Sequence, residues 1–136
     1  MKLEFLNDLS DGGKYGEVIS DNLIRLYDFD CAEARMLMQL IQENLLNKRN
    51  NLDLNEIHFI EALNCKLQLK VSTLNTGIVH LENDQFVCLM NAESYKHMVS
   101  NIEPFTEGEL NGFNWLDDLV DNDNQIDFLF SPGGGW

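Results

Sequence analysis

The chain has 136 residues, 44% of them hydrophobic, which suits one domain with a core that needs neither disulfides nor metal. Its 23 acidic residues against 9 lysines and arginines leave a formal net charge of −14 at pH 7. Such a surface repels phosphate backbones and anionic lipid, which argues against nucleic-acid or membrane partners, and attracts basic ones; solubility is the plainer use of the same charge.

At the start, Leu3, Phe5 and Leu6 predict a short strand, closed by the loop Ser10-Asp11-Gly12-Gly13-Lys14-Tyr15-Gly16. Glycines around one lysine invite comparison with a phosphate-binding loop. The spacing does not match that pattern, and no Gly-Lys-Ser or Gly-Lys-Thr enters a helix, so the loop reads as a turn. Residues 23–29 predict a second strand.

Asp30 followed by Glu33 has the form of a capping box, and residues 31–48 form the best helix in the sequence. Ala34, Leu37, Met38, Ile41 and Leu45 recur at helical spacing, so Met36 and Met38 read as packing residues before they read as a ligand site. Residues 47–55 look like a polar connection. Residues 56–63 fit either period, and the alternation of Ile57, Phe59 and Glu61 favours a strand.

Residues 66–90 predict a β-meander of three strands. Leu67, Leu69 and Val71 alternate with polar residues, Asn75-Thr76-Gly77 supplies a turn, and Asn83-Asp84 supplies another. With Glu82 opposite Gln85, His80 would face Val87, leaving His80 and Cys88 on opposite faces and arguing against a cysteine–histidine dyad. Lys66 and Lys70, with Gln68 between them, read as the solvent face of a strand. A shorter helix, residues 92–101, follows with Asn91 as its cap and Pro104 as its stop.

From His97 onward there is no lysine or arginine, while Glu103, Glu107, Glu109, Asp117, Asp118, Asp121, Asp123 and Asp127 are all acidic. Both tryptophans lie here, with four phenylalanines, so the segment 103–136 is too aromatic for a solvated tail. Residues 112–120 could hold a turn or two of helix, and residues 126–130 predict a last strand, which joins the sheet. Asp121-Asn122-Asp123-Asn124-Gln125-Ile126-Asp127 resembles the start of a calcium loop, but Ile126 stands where a glycine is required and Pro132 where a bidentate glutamate is required. It reads as an Asx-rich turn.

The expected architecture is therefore a single globular α+β domain over residues 1–136. An antiparallel sheet of about four to six strands would carry both helices. Cys31, Cys65 and Cys88 are odd in number and set in apolar surroundings, which predicts buried thiols in a reducing compartment. The acidic N-terminus lacks a signal-peptide core, and no apolar run reaches membrane-spanning length, so the expected location is the cytoplasm.

No nucleophile elbow, dinucleotide fingerprint or zinc spacing appears, so no catalytic residue, metal or cofactor is assigned. The first functional expectation is a non-enzymatic interaction protein that binds a basic protein partner through Phe113, Trp115, Asp117, Asp118, Asp121 and Trp136. Immunity proteins and antitoxins, which neutralise a basic nuclease or toxin, work on the same physics, a likeness of charge and size alone. One alternative is a ligand module or enzyme with a pocket between helix and sheet, using His58 or His80 beside a carboxylate. Another is a homodimer whose last strand pairs across a two-fold axis.

Overall fold

The computed structural model describes residues 1–16, 20–120 and 126–136. Alternating apolar residues make β1 (Lys2–Leu6) and β2 (Leu23–Tyr27), which pair antiparallel with Leu3 opposite Leu26 and Glu4 opposite Arg25. Between them the Ser10–Gly16 loop is a turn closed by carboxylates. Gly12 N–H donates to Asp8, and the backbone N–H and hydroxyl of Ser10 both donate to Asp21. Acid groups inside the loop oppose an incoming phosphate.

The helix α1 (Cys31–Ile41) begins with the predicted capping box: Glu33 N–H donates to Asp30 at 2.8 Å, and Asp30 N–H donates to Glu33 at 3.2 Å. It runs on as a π-helical segment, Gln42–Asn47, so the helical run ends one residue before the expected 48. Ala34, Leu37, Ile41 and Leu45 form its buried stripe. The connection that follows is less polar in use than in composition. Leu52–Asp53 forms β3, Leu54 is buried in a 3-10 turn (Leu54–Glu56), and only Glu61–Ala62 of the expected strand 56–63 pairs, as β4, parallel to β1.

The predicted strands β5 (Lys66–Val71), β6 (Gly77–His80) and β7 (Gln85–Met90) all form, but not as a meander. β7 sits between the other two, parallel to β5 and antiparallel to β6. The reason lies in composition. Phe86, Val87 and Cys88 are buried in succession, as in a strand covered on both faces, so β7 takes the central place and the short β6 takes the edge. The 72–76 connection is long enough to cross two inter-strand gaps of ~4.8 Å.

The helix α2 (Ala92–Ile102) is capped by Asn91, which accepts from Ser94 N–H at 2.9 Å, and buries Tyr95, Met98 and Ile102. The two-residue β8 (Asn114–Trp115) replaces the helical turns considered for 112–120. The last strand, β9 (Asp127–Ser131), forms as expected, displaced by one residue.

The strands make two mixed sheets, not one antiparallel sheet: β4-β1-β2-β9-β8 and β3-β5-β7-β6. β9 runs parallel to β2 and antiparallel to β8. Both of its edges are thus occupied within the chain, so it is unavailable to pair across a two-fold axis. A single apolar core takes Leu3, Leu26 and Phe130 from the first sheet, Leu67, Phe86 and Cys88 from the second, and Leu37 and Met98 from the helices. No helix of the described residues is long and apolar enough to cross a membrane.

Candidate functional site

The register of the five-stranded sheet sets Glu4, Arg25, Leu129 and Trp115 side by side on one face. Arg25 Nε donates to Glu4 at 2.9 Å, and its guanidinium lies 4.0 Å from the centre of the Tyr27 ring. Leu129 is fully buried. Over this face the C-terminal tail folds back. Asp28 N–H donates to Pro132 O, Gly134 N–H donates to Ser131, and Arg25 Nη1 donates to Gly134 O at 2.7 Å.

Glycine is strongly favoured at position 134. Its φ is +85°, and a Cβ there would stand 2.7 Å from Arg25 Nη1 and 3.2 Å from the Tyr27 ring. The close approach brings Trp136 onto Trp115, ring centres 6.4 Å apart, while Phe113, two residues before Trp115 on the same face, meets it edge to face at 5.9 Å. The three rings form one cluster. Phe113 and Trp115 are half-buried, and Trp136 is 38% exposed.

The carboxylates expected beside this cluster have different fates. Asp118 is exposed and fixed by α2: His97 Nε2 lies 3.1 Å from it, and Asn101 Nδ2 donates both to it and to Trp115 O. Asp117 is buried, 8% exposed, so it is no surface charge for a partner. Burial pushes its carboxyl up to about 7; the Asp127 and Asp118 charges add to the rise, and the N–H groups of Phe128 and of Asp117 itself oppose it. Asp121 and most of the calcium-like stretch lie outside the described residues.

Arg25, His97 and Asn101 are the supporting residues that sequence reasoning missed; each sits on another element and announces itself by no local motif. Two exposed leucines escaped notice as well. Leu119 is 48% exposed and Leu74 68%, and Asn75 Nδ2 donates to Leu119 O. Asn75 also accepts from Asn91 N–H and Ser94 Oγ, which anchors the 72–76 loop to the start of α2.

The hairpin register differs by one residue from expectation: His80 faces Phe86, and Ile78 faces Cys88. His80 and Cys88 therefore share a face, contrary to the predicted arrangement, but they form no dyad. His80 is exposed, with Nε2 2.7 Å from Asn83 O and its ring stacked on Phe86. Burial pushes the Cys88 thiol up to about 12, as it does the Cys65 thiol. Cys31 is partly exposed, so two of the three thiols are buried.

Side chains from both helices and both sheets meet in one apolar core. A groove of about 390 Å³, lined in part by His58, lies on the outer flank of α1 against residues 56–59. Among the described residues no three His, Cys, Asp or Glu side chains converge as a metal site. No protein-family model matches the chain, and no curated protein matches its sequence.

Proposed function

We propose that the protein is a non-enzymatic interaction protein whose C-terminal face binds a basic protein partner. The observation that carries this reading is the partly exposed cluster of Phe113, Trp115 and Trp136 beside the exposed Asp118. Aromatic rings with one face packed and one face open anchor interfaces, because the area they bury costs little side-chain entropy. Asp118 is held in place before any partner arrives, and the net charge of −14 speeds encounter with a cationic surface. Leu74 and Leu119 extend the same reading with apolar area exposed among the described residues. Three free cysteines fit action in the cytoplasm.

Affinity capture from the source cells, washed at low and then high salt, should retain a basic protein and release it as salt rises. With that protein in hand, Trp136→Ala should weaken binding by about tenfold or more, and Asp118→Asn should slow association with little change in dissociation. A partner indifferent to salt, to Trp136 and to Asp118 would sink the proposal.

A further inference from the structure

The groove on α1 has a built-in polarity. Its helical wall is the stripe Met36, Gln39, Leu40 and Glu43, which recur at i, i+3, i+4 and i+7 on the side of the helix away from the buried stripe. Its other wall is the chain from Glu56 to Phe59. The Phe59 end of that wall is tied to the start of the helix, because Phe59 O is joined through the Met1 nitrogen, at 3.1 and 2.7 Å, to Glu33 in the first turn of α1. Met36 and Phe59 therefore lie toward the end of the groove near the helix start, Glu43 lies seven residues further along the helix, and Glu56 adds a second carboxylate to the lining.

Leu40, Ile57 and Phe59 rest one flank on the core and leave the other to the groove, so its floor is rigid, while Met36 adapts. The carboxylates of the groove are open to a visitor. Glu56 makes no ion pair among the described residues, and the pair between Glu43 and Lys48, 3.8 Å apart, is more than half exposed on both sides and worth little. From Met36 to Glu43 the wall is roughly 10 Å long, about two helical turns.

The geometry points to this groove as a docking site for a short amphipathic basic segment of a partner protein. Apolar side chains of the segment would lie on Met36, Leu40, Ile57 and Phe59, and its cationic groups beside Glu43 and Glu56. Charge complementarity selects this occupant: an acidic segment would meet two carboxylates and a net charge of the same sign. The site shares no residue with the C-terminal aromatic face and does not rest on it.

The test uses synthetic peptides of about twelve residues, long enough for two helical turns and their ends. One carries leucines at i and i+4 with arginines clustered at one end; one has glutamates for the arginines; one keeps the arginines and replaces the leucines with serines. Each is titrated into the full chain while backbone amide chemical shifts are followed. The leucine–arginine peptide should give saturable shifts confined to residues 36–43 and 56–59. The double variant Glu43→Gln, Glu56→Gln should weaken it by about fivefold, and Trp136→Ala should leave it unchanged. No saturable shift up to millimolar peptide, equal binding of the glutamate or serine peptides, or shifts at residues 113–119 and 136 would each overturn the proposal. Shifts at those last residues, lost in Trp136→Ala, would do so while leaving the C-terminal face standing.

Discussion

Asp117 is the residue whose behaviour departs furthest from what its letter suggests. In the sequence it is one acid among many, next to Asp118; in the fold Trp115 and Leu116 turn the chain so that Asp117 faces inward and Asp118 outward. No pattern of acids records that difference, because it depends on β8 pairing with a strand more than ten residues on. With its carboxyl raised to about 7, Asp117 contributes stability that is fully present below its ordinary value of 3.8 and is lost as pH rises through about 7. Denaturant unfolding should therefore show Asp117→Asn gaining on the native chain between pH 5 and pH 8, by roughly 1–3 kcal/mol. A difference that does not move with pH would refute the assignment. The cysteines permit a simpler check at the same scale: a thiol reagent should modify Cys31 in the folded protein, and Cys65 and Cys88 only after unfolding.

At the scale of elements, the signals that were legible were local ones. Asp30 and Glu33 announce α1, Asn91 announces α2, and the alternation of Leu67, Leu69 and Val71 announces β5, each because capping and period are settled within a few residues. The order of β5, β6 and β7 was not legible, because a turn between sequential strands is compatible with a meander and with the observed insertion of β7 between them. Tyr95 helps fix that order. Its ring is fully buried, and its hydroxyl accepts from Lys70 N–H on β5 at 2.9 Å while lying 2.8 Å from Cys88 O on β7, so α2 is fastened to the parallel pair. Tyr95→Phe should cost about 1–3 kcal/mol, since it strands buried backbone groups that the hydroxyl now satisfies. A chevron or equilibrium measurement within a few tenths of a kcal/mol of the native chain would show that water or another group replaces it.

For the whole molecule, the pattern of predicted helices and strands indicated the α+β class and composition the excess of negative charge, while the division into two mixed sheets depends on pairings between distant segments that no local period encodes. The same holds for the candidate site. Phe113, Trp115, Asp118 and Trp136 were legible as residue types, but their meeting depends on Gly134 and on the amide of Asn101. The charge has its own consequence for stability. Self-repulsion among the acids should be relieved by salt, so raising sodium chloride from about 20 to about 500 mM should increase the melting temperature by a few degrees. A fall would mean that ion pairs such as Arg25–Glu4 outweigh the repulsion.

The parallel pairing of β2 with β9 joins Leu23 to Asp127 and Tyr27 to Ser131. During synthesis, β1 and β2 leave the ribosome long before the strand that completes their sheet, and the edge of β2 stays open through the translation of everything between. The sheet cannot close until residue 131 has emerged, and in that interval the unpaired edge of β2 is open to a chaperone or to a neighbouring copy.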